Sequence, residues 1–417
     1  MRIEVHPSRR FLTRDGQPFF YLADTSWEML HRLDRDETTH YLQTRARQGF
    51  TAIQTVILAE EDGLRVPNAQ GDVPLHDLDP TKPNEAYFAH VDWALETARE
   101  LGLVLALLPT WGDKWNAGRW GQGPEVFTPD NARAYGEFLG ARYKDADNLI
   151  WILGGDRPVD TDSQHAIIER MAAGLSAGGS AHLKTFHTWG GHSSSEFFPD
   201  APWLDFHMWQ SGHNRNSPNY EMIASDYARL DQRKPVLDGE PGYEDHKAGF
   251  ALENGFLDDY DNRKSLYWAL FSGALGHTYG CHAIWQFWTE ERAPVNSPRR
   301  PWQEALELPG ANQMGHARAL HDAVPFLGAR PAQELVLENP GPLHVAAIHN
   351  AERGHVLAYC PSDAKVRLDL SWAGGQTPRA RWFDPRSGAF RAASGGENGE
   401  FQAPGWGPDW VLILSRA

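Results

Sequence analysis

The stretch that decides the fold reads ARAYGEFLGARYKDADNLIWILGGD and runs from residue 132 to residue 156. Its first half, 132–143, mixes apolar and charged residues in the manner of an amphipathic helix. The run 149–153 is apolar throughout, which is typical of a parallel strand buried on both faces. Two glycines and Asp156 follow. The segment therefore predicts a helix, a buried strand and a carboxylate at the end of the strand.

The same unit recurs from residue 19 to about residue 325. Eight candidate strands can be counted, at 19–23, 52–58, 104–109, 149–153, 185–188, 204–208, 236–239 and 283–287. Helices are predicted at 37–48, 87–101, 132–143, 164–175, 220–230, 262–273 and 314–324. No good helix separates the fifth and sixth strands. Eight such units, with no GxGxxG after the first strand, favour a (β/α)8 TIM barrel over a doubly wound sheet.

After Pro325 the pattern changes to short alternating runs, from HVAAIH to WVLILS, separated by Gly, Pro, Asn and Asp. Such runs predict a small antiparallel β-sandwich. We therefore expect an α/β protein of two domains, a barrel over 1–329 and an accessory sandwich over 330–417.

Composition narrows the class of partner. The net charge of −16 argues against nucleic acid, whose affinity comes from Lys and Arg meeting phosphates, and slightly against acidic polysaccharides. Seventeen tryptophans suit a site that stacks sugar rings, although many of them could simply fill the core. We expect a carbohydrate partner, while the oligomeric state stays open.

The two cysteines, Cys281 and Cys360, lie far apart and predict no disulfide framework. No apolar stretch is long enough to span a membrane, so no membrane partner is expected. The amino-terminal residues lack the apolar region of a secretion signal, which predicts a cytoplasmic protein, or a secreted or periplasmic one if the chain is a mature form.

Two carboxylates follow strands that would face one another across a barrel mouth. Asp156 follows the fourth strand, and Glu240 follows the seventh between Gly239 and Pro241. An ordinary turn or helix-capping aspartate and an exposed loop glutamate are the simpler interpretations. Opposed carboxylates are also what glycoside hydrolysis requires, and a separation of about 5 to 5.5 Å would imply retention of configuration. We interpret Asp156 as the general acid/base and Glu240 as the nucleophile.

Polar and aromatic side chains recur at the other strand ends. Singly, each could be a packed core residue, but together they predict a bowl that stacks a sugar ring and binds its hydroxyls. The predicted substrate-binding residues are Asp24, Trp27, Trp111, Lys114, His187, Trp189, His207, Trp209, Gln210, Trp285 and Trp288.

Other hydrolase chemistries have weaker support. The histidines lack the HxH or HExxH spacing of a metal site, and no GxSxG elbow is present. We therefore predict no cofactor and no metal. A metal-dependent hydrolase, and a sugar-binding protein with a non-catalytic barrel, remain as alternatives.

Three motifs resemble glycoside hydrolase family 140, the apiosidase family with a DUF4038-type barrel. They are HPSRRFLTRDGQPFFYLADTSWEML at 6–30, WILGGD at 151–156 and DGEPGYE at 238–244. Members of the family also carry a C-terminal β-domain labelled collagen-binding, which 330–417 resembles. The resemblance implies hydrolysis of a terminal β-D-apiosyl residue, with the catalytic carboxylates at Asp156 and Glu240.

The chain departs from polysaccharide-degrading relatives in showing no secretion signal. This difference favours a small apioside or oligosaccharide as substrate, with another sugar as the alternative. For the C-terminal domain we expect structural support of the active-site rim rather than collagen binding.

Overall fold

The computed structural model describes residues 2–118, 120–338 and 343–416, so the predicted domain ends at residues 1 and 417 lie outside it. The chain opens with a three-stranded antiparallel sheet, β1 to β3 (Ile3–Val5, Leu12–Arg14 and Gln17–Phe19). Ile3, Leu12 and Phe19 pack into the same apolar cluster as the inner faces of the strands that follow. This small sheet therefore closes one end of the larger domain.

A curled parallel sheet forms the body of the larger domain. Its strands are β4 (Tyr21–Thr25), β5 (Ala52–Leu58), β6 (Val104–Thr110), β7 (Leu149–Gly154), β8 (Lys184–His187) and β12 (Gly276–Tyr279). The order β12-β4-β5-β6-β7-β8 pairs the last strand with the first, so the sheet curls back on itself. The predicted parallel α/β architecture is thus confirmed for these strands.

A second sheet continues the first. It contains β9 (His192–Ser193), β10 (His207–Gln210) and β11 (Val236–Asp238), with β10 and β11 parallel. Single backbone hydrogen bonds connect its two sides to the curled sheet. Asp205 N donates to Lys184 O, and Leu275 N donates to Val236 O, both at 2.8 Å.

The parallel strands are buried on both faces, as their continuous apolar runs predict. On β7, Ile150 and Ile152 point into the inner cluster, whereas Trp151 and Leu153 belong to the outer cluster beneath the helices. The same alternation sorts every strand-end side chain into an inward or an outward position. It therefore decides which of the predicted residues reach the interior.

The helices lie on the outer face of the sheet. In chain order, α1 to α11 are Met29–Arg32, Arg35–Arg47, Glu85–Glu100, Pro129–Tyr143, Asp162–Ala177, Ser194–Phe197, Asn219–Tyr227, Asp259–Phe271, His282–Trp285, Trp302–Ala305 and Pro309–Ala323. Between the fifth and sixth strands, where no good helix was predicted, the structure has the four-residue α6. None of the helices in the described part of the chain has the length and apolar character that crossing a bilayer requires.

Helices α4 and α5 pack unusually closely on either side of β7, the strand that leads to Asp156. A Cβ at Gly140 would lie 2.2 Å from Leu175 O, and one at Gly174 would lie 2.2 Å from Arg133 O. Only glycine allows this approach of the two backbones. The pair gives the Asp156 strand a rigid flank.

The prediction of the eighth strand at 283–287 is wrong. The strand is β12, four residues whose sequence GHTY has little apolar character, and the apolar run after it forms the short helix α9. His277 and Thr278 are nevertheless fully buried, and burial lowers the pKa of His277 to about 3. Because these buried residues of β12 are polar, the strand has no hydrophobic pattern by which it could be predicted.

The C-terminal domain has the predicted antiparallel strands in two sheets. In chain order β13 to β21 are Arg330–Pro331, Val336–Glu338, Ala346–Asn350, His355–Cys360, Lys365–Leu368, Arg379–Asp384, Ala389–Ala392, Glu400–Gln402 and Trp410–Ser415. The larger sheet has the order β13-β15-β16-β21-β18-β19, and the smaller has the order β14-β17-β20. One apolar cluster, which includes Val356, Trp382 and Phe401, fills the space between them.

The other face of the larger sheet packs on the first domain. Leu357, Tyr359 and Ile413 belong to the same apolar cluster as the helices that cover the curled sheet. A buried ion pair crosses the interface, where Arg263 of α8 donates to both carboxylate oxygens of Asp409 at 2.9 Å. The two domains therefore share one core.

Candidate active site

Glu240 stands at the carboxyl end of β11 and is only 5% exposed. The preceding Gly239 has no room for a side chain, because a Cβ there would lie 2.6 Å from the Met208 side chain. Two histidines flank the carboxylate. His187 Nε2 lies 3.0 Å from Oε2, and His213 Nε2 lies 3.4 Å from Oε1.

Backbone hydrogen bonds fix the tautomers of both histidines. His187 Nδ1 accepts from the Asp156 N–H at 3.2 Å, and His213 Nδ1 accepts from the Tyr243 N–H at 3.4 Å. A ring nitrogen that accepts a hydrogen bond carries no proton, so each neutral ring carries its proton on Nε2, facing Glu240. Both Nε2–H groups therefore face the Glu240 carboxylate and stabilise its ionised form.

Asp156 follows β7 through a tight turn. Gly154, Gly155 and Asp156 all have positive φ, which for an aspartate is an uncommon conformation. A Cβ at Gly154 would lie 2.2 Å from His187 O, so the turn passes directly beside β8. Backbone strain of this kind is often found at functional sites.

The Asp156 carboxylate is held by two donors at its outer side. Its Oδ2 accepts from Trp120 Nε1 at 3.1 Å and lies 3.4 Å from an Arg157 nitrogen. The Trp120 side chain is 42% exposed, so the carboxylate faces the open side of the site.

The two carboxylates have opposite protonation tendencies. Burial, and then the negative charge of Glu240, raise the pKa of Asp156 to about 6. Burial would also raise the pKa of Glu240, but the contacts with His187 and His213 outweigh it and hold that pKa well below its usual range. Near pH 5 the pair therefore holds one proton, on Asp156.

Aromatic rings form an inner wall beside Glu240. Trp27 lies edge-on to His187 with ring centroids 5.4 Å apart, and Trp111 lies 5.0 Å from Trp27. Trp27 Nε1 donates to the Tyr243 hydroxyl at 3.1 Å. Burial and the adjacent Glu240 carboxylate raise the pKa of Tyr243 well above its ordinary value, so its hydroxyl stays protonated.

Gln210 completes the inner set. Its side chain hydrogen-bonds to the Asp156 carboxylate, which lowers the pKa of Asp156 and thereby opposes the effect of burial. Behind Glu240, Asp238 accepts from Ser211 Oγ at 2.8 Å and from Asn219 Nδ2 at 2.9 Å, which fixes the end of β11.

A network of charged side chains surrounds Arg157 beside Asp156. Arg157 is fully buried and donates to Glu60 Oε1 at 3.1 Å and to Trp120 O at 2.7 Å, with its guanidinium 4.5 Å from the Trp120 ring centroid. Burial, opposed by Arg157 and reinforced by Asp113 and Asp156, raises the pKa of Glu60 to about 8. Arg157 thus connects Trp120, Glu60 and Asp156.

Four predicted binding residues do not face this interior. Asp24 is fully buried on the outer side of β4, where it pairs with Arg45 at 2.5 Å and accepts from Tyr41. Lys114 is also fully buried, and its Nζ lies 2.8 Å from Asp113 Oδ2. Neither side chain has exposed surface for a ligand.

His207 and Trp209 point outwards because the sixth strand is β10, two or three residues later than predicted. His207 therefore begins the strand instead of ending it, and burial lowers its pKa to about 4 near Asp226. Trp209 packs against the outer cluster of Ile223 and Val236. The inward positions belong to Met208 and Gln210.

The remaining predicted tryptophans are Trp189, Trp285 and Trp288. Trp189 stacks on His192 with ring centroids 4.8 Å apart. Trp285 lies in the inner cluster and donates to His282 Nδ1 at 3.3 Å, while Trp288 donates to Arg292 O at 3.0 Å.

Several residues around the carboxylates were not among the predicted site residues. They are His213, Tyr243, Trp120, Arg157 and Glu60. His213 and Arg157 follow predicted site residues closely in sequence, which is a signal that could have found them. Trp120 and Glu60 come from loops whose course the sequence does not show. Among the residues that the structure describes, no group of three or more His, Cys, Asp or Glu side chains could hold a metal ion.

A family model described as "Apiosidase-like, catalytic domain" matches residues 6–328. The chain belongs to the apiosidase-like family. A second model, "Putative collagen-binding domain of a collagenase", matches residues 330–415. The resemblance inferred from the three motifs is thus confirmed, and this apiosidase-like protein is a glycoside hydrolase with a carbohydrate substrate.

Solved structures agree with this assignment. A structure titled "Glycoside hydrolase" has 30% identity and a TM-score of 0.88, covering 100% of this chain and 97% of the other. A glycoside hydrolase family 5 structure from Bacteroides vulgatus ATCC 8482 has the same identity and TM-score, covering 100% and 93%. A family 39 glycoside hydrolase from Bacteroides cellulosilyticus WH2 shares the fold, at 11% identity, a TM-score of 0.55 and coverages of 94% and 80%. No curated protein matches the chain.

Proposed function

We propose that the protein is a retaining, exo-acting β-D-apiosidase that releases terminal apiose from plant-derived glycosides or pectic oligosaccharides. The observation that carries the proposal is the pair Asp156 and Glu240, a partly exposed and a buried carboxylate with opposite pKa shifts, linked through His187. Membership of the apiosidase-like family supports the choice of sugar.

In the first step, ionised Glu240 attacks the anomeric carbon while protonated Asp156 gives its proton to the glycosidic oxygen, and the bond between that oxygen and the anomeric carbon breaks. The aglycone leaves as an alcohol. In the second step, Asp156 removes a proton from water, which attacks the same carbon and frees Glu240.

The coupling between the carboxylates suits both steps. The negative charge of Glu240 raises the pKa of Asp156, which keeps Asp156 protonated before attack. Once Glu240 is esterified its charge is gone, so the pKa of Asp156 falls and Asp156 can serve as a base.

We also propose that β4 to β8 and β10 to β12 complete a (β/α)8 barrel over 1–329, with 330–417 as an accessory domain. The hydrogen bonds that join the curled sheet to the second sheet support closure on both sides. In such a barrel the catalytic groups belong at the carboxyl ends of the strands, which is where Asp156 and Glu240 lie.

The test is a release assay on aryl β-apioside, α-arabinofuranoside, β-glucoside and β-xyloside, with the product sugar identified. We expect kcat/KM on the apioside to exceed the others by at least about tenfold, a difference of about 1.4 kcal/mol in transition-state binding. Preferential release of another sugar would overturn the apiosidase assignment. The configuration of the first product, followed by NMR, tests retention separately.

A further inference from the structure

The candidate active site has an exposed tryptophan beside Asp156. Among the residues that the structure describes, Trp120 and Trp406 are the two tryptophans with exposed rings, at 42% and 53%, and Trp406 belongs to the C-terminal domain. Trp120 Nε1 donates to Asp156 Oδ2 at 3.1 Å. The indole ring therefore begins at the carboxylate that we assign as the general acid/base.

Exposure increases from Glu240 outwards. The Glu240 side chain is 7% exposed, that of Asp156 is 21% exposed, and Trp120 is 42% exposed. Trp27 and Trp111, which form the wall beside Glu240, are at most 3% exposed. The Trp120 ring consequently lies on the solvent side of the two carboxylates, whereas the terminal sugar belongs on the inner side with Glu240.

One face of the Trp120 ring is covered from within the protein. The guanidinium of the buried Arg157 lies 4.5 Å from the ring centroid. Because a ring has two faces, the exposed fraction of Trp120 comes from the opposite face and from the ring edges. Trp120 thus presents a flat apolar surface to solvent, with a cation behind it.

The backbone around Trp120 is held in place although the side chain is exposed. The Trp120 carbonyl accepts from Arg157 at 2.7 Å, and the Gly123 N–H donates to Asp113 Oδ2 at 2.8 Å. Gly121 has a positive φ, and a Cβ there would lie 2.5 Å from the Asp113 side chain, so only glycine fits. A ligand that stacks on this ring therefore has little backbone to order.

General acid catalysis determines where the leaving group lies. To receive the proton, the glycosidic oxygen has to come within about 2.6 to 3.2 Å of the Asp156 carboxylate. Trp120 Nε1 is within hydrogen-bond distance of the same carboxylate. The part of the leaving group next to the glycosidic oxygen is then close to the open face of Trp120.

We propose that Trp120 forms the binding subsite for the leaving group and selects leaving groups with a flat apolar face, either an aromatic alcohol or a pyranose ring. The inference rests on the proposed function, because it takes Asp156 as the group that protonates the leaving oxygen. Stacking on Trp120 contributes to specificity for the leaving group and leaves specificity for the terminal sugar to the residues around Glu240.

Binding of thioglycosides to the full-length protein tests the proposal, because a sulfur atom in place of the glycosidic oxygen resists hydrolysis. The probes are the phenyl, glucopyranosyl and methyl 1-thio-β-D-apiosides, which share the terminal sugar and differ in the leaving group. Isothermal titration calorimetry measures their dissociation constants. We expect the wild type to bind the phenyl or the glucopyranosyl probe about tenfold more tightly than the methyl probe.

The variants separate stacking from the hydrogen bond to Asp156. Trp120→Ala and Trp120→Leu should lose the preference over the methyl probe, because neither side chain has a flat ring. Trp120→Phe lacks the indole N–H but keeps a ring, and it should retain part of the preference. If Trp120→Ala does not fold, Trp120→Leu and Trp120→Phe still make the comparison.

The matched control is Trp406→Ala. It removes an exposed tryptophan that also lies beside a guanidinium, that of Arg386 at 5.0 Å, in the other domain. This variant should bind all three probes like the wild type. The methyl probe should bind equally to the wild type and to every variant, which checks that the site for the terminal sugar is intact.

Four outcomes would overturn the proposal. They are equal binding of the three probes by the wild type, a preference that persists in Trp120→Ala and Trp120→Leu, the same loss in Trp406→Ala, and equal weakening of all three probes when Trp120 is replaced. A preference for the phenyl probe alone supports the subsite and identifies the leaving group as an aromatic alcohol. A preference for the glucopyranosyl probe alone supports it and identifies a sugar.

Failure of the proposed function would give a different result. If no thioapioside binds and the release assay yields another sugar, the apiosidase assignment is wrong, and the same three leaving groups on that sugar test Trp120. If the protein neither releases nor binds any sugar of the panel, both the proposed function and the subsite are overturned.

Discussion

The surroundings of Glu240, a buried carboxylate, and of Asp156, a partly exposed one, differ although both groups lie at strand ends. Glu240 faces two histidine Nε2 groups and the Tyr243 hydroxyl, whereas Asp156 faces Glu240 itself and the partly exposed Trp120. These hydrogen-bond donors stabilise the ionised form of Glu240. The neighbouring negative charge of Glu240 disfavours the ionised form of Asp156.

This difference shows that position alone does not assign the roles of a carboxylate pair. The strand ends bring both groups to one interior, but the hydrogen-bond donors decide which group keeps its proton. His187 takes part on both sides, since its Nδ1 accepts from the Asp156 backbone and its Nε2 faces Glu240. Changing these neighbours should therefore shift the two carboxylates in different directions.

The largest effect is expected for Glu240→Gln, which removes the nucleophile but keeps its shape. Turnover of an aryl glycoside should fall by more than about 10⁴-fold, because no other carboxylate lies where Glu240 does. Steady-state assays measure the loss, with near-UV circular dichroism as the check on folding. Activity within tenfold of the wild type would remove Glu240 from the chemistry.

The next largest effect is expected for Asp156→Asn, with a loss of about 10²- to 10⁴-fold in kcat. The loss should be smaller for substrates with acidic leaving groups, because those depart without protonation. A series of aryl glycosides of graded leaving-group pKa measures this dependence. An equal loss across the series would contradict the acid role.

For His187→Ala we expect kcat/KM to fall by about 10- to 100-fold, the loss of one donor to a charged group. Because His187 lowers the pKa of Glu240, its removal should move the acid limb of the pH profile to higher pH. The control is His207→Ala, a histidine that points outwards from the next strand. If both variants gave the same profile, His187 would have only a packing role.

Arg157→Gln should change the alkaline limb of the pH profile of activity. In the wild type this limb should fall near pH 6, because activity needs protonated Asp156 and its pKa is about 6. Arg157 lowers that pKa, so its loss should shift the limb upwards by about one pH unit. Arg157→Lys keeps the charge and should shift it less. A downward shift would contradict the assignment of the limb to Asp156.

The smallest effect is expected for Glu60→Gln. Since the pKa of Glu60 is about 8, the side chain is protonated at pH 5 and the substitution leaves the local charge unchanged. Activity at pH 5 should stay within about threefold of the wild type. A loss above tenfold, measured in the same assay, would show that Glu60 acts as an ionised group.

Strands with strong apolar runs could be predicted from the sequence, and polar ones could not. The strand at 52–58 agrees with β5, and WVLILS agrees with β21. β12 was missed because its buried His277 and Thr278 carry no hydrophobic signal. The larger C-terminal sheet packs both on its partner sheet and on the first domain, which was also not evident from alternation alone.

The candidate site shows the same division. Asp156, Glu240, His187, Trp27, Trp111 and Gln210 lie together as predicted from their places at strand ends. A small error in the start of β10 changes which residues end the strand, although the composition of the segment stays the same. The positions of His207 and Trp209 were predicted wrongly for this reason. Trp120 and Glu60 depend on loop conformations that local sequence does not specify.

The most direct test of the central claim is to trap the glycosyl-enzyme. In Asp156→Ala, an aryl glycoside with a dinitrophenyl leaving group should still glycosylate the protein, while the missing base slows hydrolysis. Intact-protein mass spectrometry should then show one added glycosyl unit, and peptide mapping should place it on Glu240. No adduct, or an adduct on another residue, would contradict the assignment of Glu240 as nucleophile and Asp156 as acid/base.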